Sequence, residues 1–129
     1  MNKKMIKNIK ALKNNHKNDE YFESYVKVEI LTSVKWLTKS EAMVYAKNTL
    51  RYAMDIMDVA VHACALNWWG WNLYKNGNEE ESKAFFDAYK YISNIIHSNA
   101  SEDCACQLRT TLKMSWLALG ASHPELLGC

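Results

Sequence analysis

Glycine and proline are scarce in this sequence, which has four glycines and one proline in 129 residues. Loops that cradle phosphate groups are built on several closely spaced glycines, so little of the chain could form a loop-built nucleotide site. The Gly-x-Ser-x-Gly elbow of hydrolases and the His-Glu-x-x-His pattern of zinc proteases are also absent. These absences disfavour an enzyme that depends on a local motif, although they leave open a site assembled from scattered residues.

Strong net charge and long apolar runs are missing as well. The formal net charge is +2, which gives no overall steering toward nucleic acid or acidic surfaces. The apolar run at residues 59–66 is too short to span a bilayer. Lysines interrupt the apolar residues near the N-terminus, so a secretory signal is not expected. The sequence therefore predicts a cytoplasmic protein with reduced cysteines and no membrane span.

The four cysteines do not have the spacing of a metal site. His62-x-Cys64 and Cys104-x-Cys106 each leave one intervening residue, whereas structural zinc sites usually have two to four. Residues two apart on a helix point in nearly opposite directions, so neither pair could chelate an ion together. We expect no metal and no cofactor, and we expect Cys64 and Cys104 to be small core residues.

Lysine is concentrated at the N-terminus, where six lysines precede the first acidic residue, Asp19. Apolar residues at helical spacing between these lysines predict a basic amphipathic helix over residues 4–13. Such a helix either docks its apolar edge on the domain or forms an arm that binds nucleic acid or an anionic membrane surface. Lysine outnumbers arginine fourteen to two, a bias that suits the AT-rich genome of a phage or a low-GC bacterium.

Residues 25–37 have an ambiguous pattern. Apolar side chains from Val26 to Trp36 alternate with polar ones, as in a half-buried strand, but no glycine or proline marks a hairpin turn. A lone strand would lack a partner in a helical chain. The sequence thus predicts an all-α, single-domain bundle of four to five helices over residues 1–129. The alternative is an α+β fold with a short strand or hairpin within 25–37.

Helix boundaries are clearest from Thr38 onward. The sequence Thr38-Lys-Ser-Glu41 is a capping box, and helical periodicity then continues to about residue 74. A straight helix of that length would span on the order of 54 Å. We therefore expect it to break around residues 67–70, or to protrude into a partner. Turn residues at 76–78 end it, and Ser101 caps a last helix that Gly120 ends, leaving a tail at residues 120–129.

A charged stripe is the first candidate site. Arg51, Asp55, Asp58 and His62 follow one another at steps of four, three and four, so on a continuous helix they would share a narrow arc. Two carboxylates and an imidazole could hold a divalent cation or transfer a proton, which would make the chain a small metal-dependent enzyme. The stripe is equally typical of a solvated helix surface.

Three tryptophans close to this stripe form the second candidate site. Trp68, Trp69 and Trp71 spread so widely around a helix that one core cannot cover all three. Tryptophan is the residue most enriched at binding hot spots. We therefore expect a partner surface centred on Trp69 and including His62, Leu66 and Trp71. The leading hypothesis is a non-catalytic helical module that binds another protein or a second copy of itself, such as a phage or bacterial inhibitor or adaptor. The metal-dependent enzyme and the nucleic-acid binder remain the alternatives.

Overall fold

The chain forms a bundle of α-helices in a computed structural model that describes residues 2–14, 26–27 and 33–120. The named helices are α1 (Lys3–Lys10), α2 (Lys39–Tyr52), α3 (Ile56–Lys75), α4 (Glu79–Asn99) and α5 (Glu102–Ala118). Within the described ranges there is no β-sheet, and the one strand-like feature is an isolated parallel bridge between Lys13 and Asp55. The predicted all-α fold is confirmed.

Helix α3 lies at the centre of the bundle and packs against α2, α4 and α5. Its residues are buried on nearly every side, because its sequence is almost continuously apolar from Val59 to Leu66 with His62 as the exception. A helix that is apolar all round must be covered all round. The other helices supply that cover with one apolar edge each, such as Phe85, Ala88 and Ile92 on α4.

The helix predicted over residues 38–74 is in fact two helices, and the break lies at residues 53–55 rather than at residues 67–70. Ala53 and Asp55 both have extended backbone angles. The Asp55 carboxylate caps α3 by accepting a hydrogen bond of 2.9 Å from the Asp58 N–H. This arrangement satisfies a backbone donor that would otherwise lack a partner at the start of α3.

Contacts from the N-terminal segment hold this break in place. The Asn8 side-chain amide donates to the carbonyl oxygens of Leu50 and Arg51 at 2.7 and 2.9 Å, which satisfies the C-terminal end of α2. The Ile56 N–H donates to the Lys13 carbonyl at 3.0 Å. Since these partners are more than forty residues away in sequence, local periodicity could not indicate where the helix ends.

Gly70 does not break α3, which continues through it to Lys75. A Cβ atom at this position would lie 2.7 Å from Cε1 and 2.8 Å from Cδ1 of Phe86, on α4. Glycine is therefore required by the close approach of α4 rather than by a bend.

Apart from the end of α1, the remaining helix boundaries agree with the sequence signals. Glu41 accepts hydrogen bonds from the Thr38 N–H at 2.9 Å and from the Thr38 hydroxyl at 2.8 Å, so the capping box is present. Gly77 follows α3 with a φ of +84°, and Gly120 follows α5 with a φ of +76°. Ser101 caps α5. Helix α1 ends at Lys10, earlier than predicted, because Lys13 pairs with Asp55 instead of extending the helix.

The ambiguous segment at residues 25–37 is only partly described, since residues 25 and 28–32 lie outside the described ranges, as do 15–24 and 121–129. Val26, Lys27 and Ser33 are helical, and the described part of this segment contains no strand. Val26 and Val34 are buried, but Trp36 is 88% exposed. The strand alternation, which would put all three on one buried side, is therefore wrong at Trp36.

No helix in the described ranges combines the length and the apolar character needed to cross a membrane.

Candidate functional site

The predicted charged stripe is divided between separate elements. Arg51 is on α2, Asp55 is the cap before α3, and Asp58 and His62 are on α3. The four residues therefore do not share one helix surface, because the break at residues 53–55 changes the direction of the chain between Arg51 and Asp58. Asp58 and His62 are the pair that the structure keeps together, since both line one cavity.

That cavity has a volume of about 370 Å³ and lies between α2 and α3. Asn48 and Thr49 contribute further polar groups to its lining. The hydroxyl of Tyr45 and Nδ1 of His62 form a hydrogen bond, and the two rings meet edge to face with centroids 5.5 Å apart. Tyr45 was not identified from the sequence, because it is 17 residues from His62 on another helix.

The chemistry available in this cavity is hydrogen bonding by a phenol, an imidazole and a carboxylate. Among the residues that the structure describes, no three His, Cys, Asp or Glu side chains come close enough together to hold a metal ion. Asp58 and His62 would supply two protein ligands, whereas catalytic zinc sites in proteins use three. The arrangement thus gives no particular support to the metal-dependent enzyme.

The cysteines occupy the positions expected of core residues. Cys64 and Cys104 are buried, as predicted, and Cys106 is exposed; all three are free thiols. Burial raises the pKa of the Cys64 thiol far above its ordinary value. The Cys104 thiol donates a hydrogen bond to the Leu12 carbonyl at 3.3 Å. Neither buried thiol has the exposed, electropositive surroundings of a reactive cysteine.

Trp68, Trp69 and Trp71 all remain half-buried against the core. Trp68 and Trp69 pack together with ring centroids 5.8 Å apart, whereas Trp71 packs between Tyr74 and Phe86. Leu66 is fully buried, so its predicted place in a partner surface is wrong: the core covers it although it lies one turn from Trp69.

A fourth tryptophan, Trp36, is exposed and follows a lysine that contacts this aromatic region. The Lys35 ammonium lies 5.7 Å from the ring centroid of Trp68. Trp36, the next residue, has 88% of its surface exposed and is the most exposed large apolar side chain among the described residues. We call Lys35, Trp36, Trp68 and Trp69 the tryptophan surface. The only sequence signal that could have separated Trp36 from the buried positions is its place two residues before the capping box.

Comparison of the chain with protein-family models, with curated proteins and with solved structures found no match.

Proposed function

We propose that this chain is a non-catalytic helical module that binds another protein through the tryptophan surface. The observation that carries the proposal is the 88% exposure of Trp36, whose chain neighbour Lys35 lies over the ring of the half-buried Trp68. Single apolar side chains are common on protein surfaces, but tryptophan is the residue type most enriched at binding hot spots, and Trp36 is the most exposed large apolar side chain among the described residues. A role as an inhibitor or adaptor would require no more than such a surface.

The energetics favour Trp36 as the main contact. A buried aromatic side chain removes about 150–250 Å² from water. Because Trp36 is almost fully exposed in the free chain, nearly all of that area is available to a partner. Trp68 and Trp69 are already packed against the core, so they would contribute less new burial and more rigidity.

The surface also indicates what the partner should offer. The Lys35 ammonium stands over the Trp68 ring, 5.7 Å from its centroid. A partner with an apolar pocket for Trp36 and a carboxylate at its edge for Lys35 would complement both features. The proposed partner is thus a folded protein with an acidic rim around an apolar pocket.

The test compares Trp36→Ala with wild type in affinity capture from a bacterial lysate, followed by binding measurements on the purified captured protein. Truncating a hot-spot tryptophan costs about 2 kcal/mol or more, so binding should weaken about thirtyfold. The unfolding free energy should change by no more than about 0.5 kcal/mol, because an exposed side chain loses little packing. Met54→Ala is the matched control, since Met54 is 80% exposed but lies at the junction of α2 and α3.

Light scattering on the same proteins shows whether the partner is another protein or a second copy of this chain. A wild-type dimer that Trp36→Ala converts to a monomer would identify a second copy as the occupant and overturn the proposal of another protein. Equal capture by wild type and Trp36→Ala would show that the captured protein does not bind through the tryptophan surface.

A further inference from the structure

A second feature, independent of the tryptophan surface, is a cleft between α1 and the C-terminal end of α2. Its volume is about 610 Å³. Lys4 and Lys7 line it from α1, and Arg51 and Tyr52 line it from α2. We define these four residues as the basic cleft.

The charge in this cleft is of one sign. Three of its lining residues are cationic and none is acidic. The adjoining residues 2–14 contain five lysines and no aspartate or glutamate. Within the part of the chain that the structure describes, Lys4, Lys7 and Arg51 form no salt bridge with a carboxylate. Cations gathered around a concave surface concentrate the field there and attract anions.

The two helices that form the basic cleft, α1 and α2, are held at a fixed separation. The Asn8 amide bridges from α1 to the Leu50 and Arg51 carbonyls at the end of α2. Met5 and Ile9 anchor α1 in the core, with 5% and 0% of their surfaces exposed. The cations therefore project from two helices whose separation is set before any ligand binds, which reduces the ordering cost of binding.

An exposed aromatic ring completes the cleft. Tyr52 is 71% exposed, and the Arg51 guanidinium carbon lies 6.0 Å from its ring centroid. Single-stranded nucleic acids are bound by this combination, in which cations contact phosphates and bases stack on aromatic rings. We propose that the basic cleft binds the sugar–phosphate backbone of a single-stranded nucleic acid and that Tyr52 stacks on a base.

An anionic membrane is the other large polyanion that a lysine-rich helix could meet. A helix that lies on a membrane inserts its apolar side chains among the acyl chains. The apolar side chains of α1 are Met5, Ile6 and Ile9, of which Met5 and Ile9 are buried in the protein core and Ile6 is half-buried. The helix thus has little free apolar surface to insert, and the observations favour nucleic acid.

Fluorescence anisotropy of the full chain with labelled twelve-nucleotide oligo(U) and oligo(dT) tests the proposal. Three phosphate contacts give a slope of about −2 in a plot of log affinity against log salt, so binding should weaken roughly 20-fold between 50 and 200 mM NaCl. The triple variant Lys4→Gln/Lys7→Gln/Arg51→Gln should lose most of this salt dependence and bind more than about tenfold more weakly at 50 mM. Comparison of the two oligonucleotides shows whether the 2′-hydroxyl contributes.

A control triple variant removes the same three charges from exposed lysines on α4 and α5. Its substitutions are Lys83→Gln, Lys90→Gln and Lys113→Gln. The control should bind within about threefold of wild type, and circular dichroism should show that both triple variants stay helical. Tyr52→Ala should weaken binding about fivefold or more without altering the salt slope, because stacking releases no counterions.

Three results would overturn the proposal. The first is equal loss of affinity in the two triple variants, which would mean that net charge alone attracts the oligonucleotide. The second is absence of oligonucleotide binding by wild type at 50 mM NaCl. The third is sedimentation of the chain with phosphatidylserine vesicles but no binding to oligonucleotides, which would identify a membrane surface as the polyanion.

Discussion

Substitution of Gly70 by alanine tests the packing between α3 and α4. Alanine is favoured over glycine inside a helix by about 1 kcal/mol. The new methyl carbon, however, would lie 2.7 Å and 2.8 Å from two carbons of the Phe86 ring, well inside the usual contact distance of about 3.5–4.0 Å. The ring is held in turn by Trp71, whose centroid is 5.2 Å away.

The overpacking cost should exceed the gain in helix propensity. Forcing extra carbon into a packed contact typically costs about 1–3 kcal/mol, so Gly70→Ala should lower the unfolding free energy by about 1 kcal/mol. For a chain of this length that corresponds to a fall of roughly 4 °C in the melting temperature. Urea denaturation followed by circular dichroism measures the change.

The same substitution in a Phe86→Ala background shows whether contact with the Phe86 ring causes the loss of stability. Without the ring, the same Gly70→Ala substitution should become stabilising by up to about 1 kcal/mol, because its propensity gain is no longer opposed. A change of equal size and sign in both backgrounds would refute the reasoning. So would stabilisation by Gly70→Ala in the wild-type background.

Three further predictions follow from the caps and the thiols. Asp55→Ala should lower the unfolding free energy by about 1 kcal/mol because it removes the α3 cap, whereas Asp55→Asn should retain most of that stability. Equal losses of unfolding free energy in the two variants, measured by denaturation, would contradict the capping role. In native protein, iodoacetamide should alkylate Cys106 but not Cys64 until unfolding, as peptide mass spectrometry can show; equal rates would contradict the burial of Cys64. The hydrogen bonds from Thr38 lower the pKa of the Glu41 carboxyl. The stability that these bonds give the folded chain is therefore full above the ordinary glutamate pKa and is lost as the pH falls through the lowered pKa. An NMR titration should find this lowered pKa in wild type and a higher one in Thr38→Val, and equal values would contradict the assignment.

Helix ends with a local chemical cause could be predicted from the sequence. Gly77 ends a helix because its φ of +84° suits glycine, and Ser101 begins one because its hydroxyl accepts the Cys104 N–H. These effects involve residues within three positions of each other. For that reason the end of α3 and the start of α5 follow from sequence alone.

The break between α2 and α3 depended on contacts that sequence does not reveal. Asp55 is a residue type that caps helices, but the apolar pattern continues through it and favoured an unbroken helix. The contacts of Asn8 with the end of α2 and of Lys13 with Ile56 stabilise the break between the two helices. Once the helix is divided there, the charged stripe built on its continuity is divided as well.

The sequence predicted the candidate sites only in part, again because it does not reveal contacts between residues far apart in the chain. Helical angles correctly indicated that Trp68, Trp69 and Trp71 would not all be buried. They could not show that Leu66 is covered by the core, or that Tyr45 bonds to His62, because both facts depend on which helices neighbour α3. The exposure of Trp36 likewise contradicts the alternating pattern in which it stands.

The main proposed contact of the tryptophan surface and the aromatic ring of the basic cleft lie at opposite ends of α2. Trp36 lies just before this helix and Tyr52 is its last residue. Fourteen helical residues span about 20 Å, well beyond the 7–10 Å within which substitutions usually influence one another. Loss of oligonucleotide binding in the basic-cleft variant should therefore leave protein capture by Trp36 unchanged, and Trp36→Ala should leave oligonucleotide binding unchanged. Because each surface can fail without the other, the two proposals can be judged separately on the same set of purified proteins.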